Sequence, residues 1–290
     1  MRRKVRRRES TSGSRVNIPV KILNTPTNNQ NKHEGKKIMK TASWISASLI
    51  LLLCFAKPHN AAAIIDIEGQ NILMQLDQTM FPQSCRMYYI IENTTPDLRK
   101  HTISLFSAQN NSGQSVVLVV DPPALRGRSA FWDGTVVWTH IPGELEPRKN
   151  GLNQSLVGGV FNNMDLMSGP FHRLHQAQIE KEDKEFQYLK LTPTIKGAPY
   201  TSMLMTVKKN IHLPTELIQY VQEDVVFKRI RFEEIKEVSK NNHRPTLMKS
   251  FSELNPLYKS EWRLGTQDEK EIPPEAFSVE YLPKLGEIIK

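Results

Sequence analysis

Apolar positions change their spacing once along this chain. In EGQNILMQLDQTMF, Glu68 to Phe81, Ile72, Leu73, Leu76 and Met80 fall three or four residues apart, which predicts one amphipathic helix ended by Pro82. Beyond it the period becomes two and β-branched residues dominate. RMYYIIE, HTISLFS, QSVVLVV, GRSAFW, TVVWTHI, FQYLKLT, TSMLMTV, LPTELIQYV and VVFKRIRFEEI each read as a strand bounded by turn residues. FSELNPLYKSEWRL adds two short strands around a turn at Asn255 and Pro256. IPPEAFSVEYLPKL places Pro273 and Pro274 ahead of the stripe Ala276, Phe277, Tyr281, which predicts a short terminal helix. A helix followed by many short strands argues an antiparallel sheet or barrel.

Asp133-Gly134 between two apolar runs predicts a two-residue type I′ hairpin loop, pairing Trp132 with Thr135 and Phe131 with Val136. Cross-strand partners share a face, so Ser129, Phe131, Val136, Trp138 and His140 lie on one side and Ala130, Trp132 and Val137 on the other. Both sides carry a tryptophan. A sheet apolar on both faces has to be covered on both, or curled around something apolar and packed outside as well.

The formal charge of +9 points to nucleic acid or an anionic surface until its distribution is examined. Residues 1–63 carry 13 Lys and Arg against 2 Asp and Glu, leaving 26 basic and 28 acidic side chains in the rest, a net of about −2. The basicity belongs to the leader, and no nucleic-acid partner is expected. Lys40, the apolar run ISASLILLLCFA from Ile45 to Ala56, and Ala61, Ala62 and Ala63 have the order of a secretory signal peptide cleaved near Ala63. A bilayer span needs about 20 apolar residues, more than this run offers. Residues 39–63 are therefore expected to be the signal and 64–290 a single exported domain, with 1–38 either a disordered basic extension or the product of a start placed at Met1 rather than Met39. Cys54 follows Leu53, a poor match to the small residue that precedes a lipidated cysteine. With Cys54 removed, Cys85 is the one cysteine left, and stability has to come from packing.

Motifs of chemistry are sparse. No nucleophile elbow, P-loop or dinucleotide fingerprint occurs, and Gly158-Gly159 lacks the third glycine and the Lys that would cradle phosphate. His172 and His175 could meet on a helix face as two metal ligands, but no third ligand is evident; on a strand they point apart. Asp165 reads as a turn or capping acid and Cys85 as a small buried hydrophobe. No catalytic residue, metal or cofactor is expected, and the chain is not read as an enzyme. Met203 and Met205 share one face of their strand. With Phe131, Val136 and Trp138 they are the candidate lining of an apolar ligand cavity.

The sequence of features resembles the LolA-like outer-membrane lipoprotein-sorting proteins. These features are the helix ILMQLDQTM, then VVLVVDPPALRGRSAFWDGTVVWTHIPG, RKNG, the block SLVGGVFNNMDL, LTP, and the lysine-bearing strand VVFKRIRFEEI. The likeness runs roughly from Ile64 to Leu285, and it departs where Gly159-Val160 precedes Phe161 in place of a Thr-Asp or Ser-Asp pair. The resemblance implies an incompletely closed antiparallel barrel wrapped over helices. It also implies a non-enzymatic periplasmic carrier whose cavity holds the acyl chains of a lipid or lipoprotein. Ile72, Leu73, Leu76 and Met80 would then belong to a helical lid, and an inner-membrane export pump or outer-membrane acceptor would be a partner. The same fold also serves envelope-stress sensors, which is the alternative.

Overall fold

The computed structural model describes residues 66–81, 84–167, 169–222, 225–239, 242–270 and 272–288. The predicted signal, the extension before it and Cys54 lie outside the described residues. The helix α1 (Ile67–Met80) starts where Asp66 accepts a hydrogen bond from the Gly69 N–H at 3.0 Å, and it buries Ile72, Leu73, Leu76 and Met80. The predicted stripe is thus the packed face.

A first meander follows: β1 (Cys85–Thr94), β2 (Lys100–Gln109), β3 (Ser115–Asp121), β4 (Ser129–Trp132), β5 (Val137–His140) and β6 (Arg148–Asn150). Residues 151–174 then cross to the opposite edge through α2 (Asn163–Met167) and α3 (Phe171–Leu174). A second meander returns as β7 (His175–Glu182), β8 (Phe186–Pro193), β9 (Ser202–Lys208), β10 (Leu213–Gln222), β11 (Val225–Ser239), β12 (Asn242–Ser252) and β13 (Lys259–Asp268). β13 pairs antiparallel with β1 and joins the two halves into one 13-stranded sheet. The sheet does not close, because β6 and β7 remain its two edges.

Laid flat at about 4.8 Å per strand, 13 strands would span about 60 Å, whereas a 14-residue helix is only about 21 Å long. Yet one apolar cluster contains Leu73 and Leu76 of α1, Ile91 of β1, Trp132 of β4, Met205 of β9 and Trp262 of β13. The sheet therefore curls around α1, and the face that it turns to the helix is its inner face. The opposite face has its own cover. Phe106, Val116, Leu118 and Phe131 pack beneath Ile272, Phe277, Leu282 and Leu285, and Ser129 Oγ donates to the Leu282 carbonyl at 3.0 Å. A sheet apolar on both sides is thus covered on both, as its alternation demands.

Three expectations are corrected in detail. The Asp133 hairpin has a four-residue loop: Trp132 pairs with Val137 and Phe131 with Trp138. Asp133 Oδ1 accepts from the backbone N–H groups of Thr135 and Val136, both at 2.7 Å, which stabilises the longer turn. A shift of two residues preserves which strand positions share a face, and it moves Val136 into the loop. The C-terminal segment forms two 3-10 turns, Pro274–Ala276 and Leu282–Glu287, in place of one helix. The pair of strands around Asn255 is longer than the sequence suggested, since β12 begins at Asn242.

Candidate functional site

Between α1, the crossing segment and the inner face of the sheet lies a cavity of about 80 Å³. Its wall is mostly apolar: Phe161, Met164 and Met167 come from the crossing segment, Met203 from β9, Leu217 from β10 and Trp262 from β13. Among the expected lining residues Met203 reaches this wall, and Met205 is buried in the same core. Phe131 and Trp138 pack on the opposite face under the C-terminal turns, and Val136 is half-buried in the hairpin loop. The sequence separated the two faces but could not say which one curls inward, because each carries a tryptophan. Of the candidate lid residues, Met80 lines the cavity, while Ile72, Leu73 and Leu76 pack in the core around it.

The block SLVGGVFNNMDL is the span that crosses the inner face, and polar bonds fix its course. Asn162 Oδ1 accepts from the Asp165 N–H at 3.0 Å, and Asp165 Oδ2 accepts from the Asn162 N–H at 2.8 Å, a reciprocal cap on α2. The capping role expected of Asp165 is present, with a second role that sequence reasoning missed. Asp165 Oδ2 is ion-paired to Lys228 of β11, with side chains 5% and 1% exposed, and Gln219 Nε2 donates to Asp165 Oδ1 at 3.1 Å. Lys228 also donates to the Val160 carbonyl at 3.3 Å. Burial pulls the Lys228 ammonium below its ordinary range, and the adjacent carboxylate opposes that shift. One signal was available: Lys228 alternates with Ile230 and Phe232, so it occupies an inward position of its strand.

Upstream, Ser260 Oγ accepts from the Val160 N–H at 2.9 Å and donates to Asn93 Oδ1 at 2.6 Å. Gly159, at φ +78°, passes so close to Asn93 and Ser260 that a Cβ would collide with both side chains. Gly158 has φ +73° and open space around it. The glycine pair thus serves a left-handed turn and a close approach to the sheet.

Neither histidine of FHRLH is placed for metal. His172 Nδ1 meets Asp77 Oδ2 at 2.8 Å. The Phe171 and His172 N–H groups donate to the same carboxylate at 2.9 and 2.7 Å, tying α3 to α1. Burial raises the Asp77 pKa, and these hydrogen bonds work against it. His175 Nδ1 lies 3.0 Å from the Phe171 carbonyl, which can only accept, so Nδ1 carries the proton and Nε2 accepts from the Tyr200 hydroxyl at 2.9 Å. Burial lowers the His175 pKa to about 4, leaving a neutral ring whose partners are a carbonyl and a phenol. Among the described residues no group of three His, Cys, Asp or Glu side chains could hold a metal ion. Cys85 is buried and unpaired, and burial pushes its thiol up to about 11.

A family model described as "Uncharacterized protein" matches residues 111–284, three fifths of the chain. The chain belongs to that family, and its fold is LolA-like. A LolA superfamily protein from Nitrosomonas europaea has TM-score 0.67 and 22% identity, over 73% of this chain and 98% of its own. A putative outer membrane lipoprotein-sorting protein domain from Vibrio parahaemolyticus has TM-score 0.65 and 14% identity, over 74% and 98%. A DUF1329 family protein from Desulfovibrio piger has TM-score 0.65 and 16% identity, over 74% and 98%. No curated protein matches the sequence. The LolA-like fold accounts for the open antiparallel sheet wrapped on few helices. No helix among the described residues is long and apolar enough to cross a membrane.

Proposed function

We propose that the protein is a non-enzymatic periplasmic carrier that shields the acyl chain of a lipid or lipoprotein between α1, the crossing segment and the inner face of the sheet. The observation that carries this reading is the wall of Met80, Met164, Met167, Met203, Phe161 and Leu217 around a partly open space. Flexible thioethers accommodate chains of varying shape. Each exposed methylene costs about 0.8 kcal/mol, so a chain of about 16 carbons left in water costs on the order of 10 kcal/mol. A lined cavity offsets that cost.

At about 80 Å³ the space is smaller than the roughly 150 Å³ apolar cavity that admits benzene, so an acyl chain enters only as the walls part. α1 is pinned toward β7. Asp66 accepts from the Ile179 N–H at 2.8 Å, Gln70 Oε1 accepts from the Ala177 N–H at 3.1 Å, and Asp77 holds α3. On the opposite side a polar tie runs from Arg244 Nη1 of β12 to the Met80 carbonyl at 2.7 Å. Opening is expected on that side, with α1 and α3 moving together. Titration with a fluorescent acyl probe tests the reading. Saturable uptake of one probe per chain, lost in Leu217→Asp, is expected; no uptake by the folded wild type refutes it.

A further inference from the structure

The cavity wall contains two charged residues, Asp165 and Arg244. Asp165 is already paired with Lys228. Arg244 has no such partner: it is 3% exposed, and among the described residues no carboxylate lies within ion-pair distance of it. Its hydrogen bonds run through Nη1, to the Met80 carbonyl at 2.7 Å, to Gln267 Oε1 at 2.8 Å and, more weakly, to Met87 Sδ at 3.8 Å. Its Nε is buried with no acceptor. Because a guanidinium can only donate, the oxygen of Gln267 must face it, and the Gln267 amide nitrogen is thereby fixed as well. That Nε2 is also buried without an acceptor. An uncompensated charge with an unfilled Nε–H thus stands at the wall of an apolar space, and Gln267, on the neighbouring strand, holds its Nη1.

A buried cation is costly unless paired, and each unfilled donor adds to the cost. Burial lowers the Arg244 pKa to about 10, still far above neutral, so the charge persists. A carboxylate would supply the acceptor that Arg244 Nε lacks and would offset its charge. We infer that Arg244, oriented by Gln267, forms a head-group site, and that the ligand is a single-chain fatty acid whose carboxylate binds Arg244 while its chain occupies the cavity. This deepens the carrier reading and rests on it. Acyl chains attached through esters or amides have no anion at the chain end, so the site distinguishes free fatty acids from them.

The test compares binding of dodecanoate, 1-dodecanol and dodecyl phosphate to the full chain at pH 8, by displacement of a neutral acyl probe. Wild type is expected to prefer dodecanoate to 1-dodecanol by at least about tenfold, the scale of a charge-assisted hydrogen bond. Arg244→Met is expected to bring the two within about twofold of each other. Gln267→Leu, at a half-buried position, is expected to reduce the preference by about threefold, and it serves should Arg244→Met fail to fold. Equal binding of acid and alcohol by wild type overturns the head-group site and leaves the carrier reading intact, as does a preference that survives in both variants. Tighter binding of dodecyl phosphate than of dodecanoate overturns the carboxylate assignment. Failure of every chain and of the probe to bind removes the carrier reading itself.

Discussion

Removing Lys228 should be among the most damaging single changes in the inner face, although no ligand chemistry is assigned to it. Lys228→Met leaves the Asp165 carboxylate, whose side chain is 5% exposed, with only the Gln219 amide and the Asn162 N–H as donors. Breaking a buried pair from one side costs about 3–5 kcal/mol, because the remaining charge stays desolvated. For a domain of this size that corresponds to about 6–20 °C in Tm. Asp165→Asn strands the ammonium instead and should cost a similar amount. The double variant Asp165→Asn/Lys228→Met leaves neither charge behind, and the carboxamide oxygen that replaces the carboxylate can still accept from the Asn162 N–H. It should therefore recover to within about 2 kcal/mol of wild type, giving a coupling of at least about 4 kcal/mol between the two positions. Urea unfolding of the four proteins at pH 7, followed by far-UV circular dichroism, measures the cycle. Additive single effects, or a Lys228→Met cost below about 0.5 kcal/mol, would refute the claim that this pair fixes the crossing segment to β11.

Two further outcomes follow from the geometry. Gly158→Ala should cost roughly 1–2 kcal/mol for its left-handed backbone alone. Gly159→Ala should cost about 1–3 kcal/mol more by the same unfolding assay, because Asn93 and Ser260 must also give up bonds worth about 1 kcal/mol each; equal costs would contradict the close approach. Buried His175 has its pKa lowered to about 4 against an ordinary 6.5, so the unfolded chain binds the extra proton between those values and stability falls as pH drops through that window. The loss attributable to this ring is about 3 kcal/mol by pH 4, and the difference between wild type and His175→Gln in pH-dependent unfolding should reveal it; parallel pH profiles would contradict it.

The sequence revealed the elements better than their assembly. The stripe from Ile72 to Met80 named the packed face of α1, and strict alternation separated Phe131 and Trp138 from Trp132 and Val137 even though the hairpin register was off by two. Alternation could not tell the inner face from the outer, since both are apolar; the C-terminal turns that cover Phe131 decide it. The Asp165–Lys228 pair joins residues 63 positions apart, and no local pattern encodes such a contact. Lys228 gave a weaker hint, a basic residue in register with buried inward neighbours. The histidines of FHRLH divide between a one-turn helix and a strand, so their spacing carried no metal geometry.

The central claim is that the inner space holds an acyl chain, and native mass spectrometry of the protein purified from its own cell envelope tests it most directly. The account predicts a population carrying one acyl-bearing molecule per chain, lost when the protein is delipidated and restored by adding fatty acid. A protein that appears only at its bare mass, before and after that addition, would contradict it.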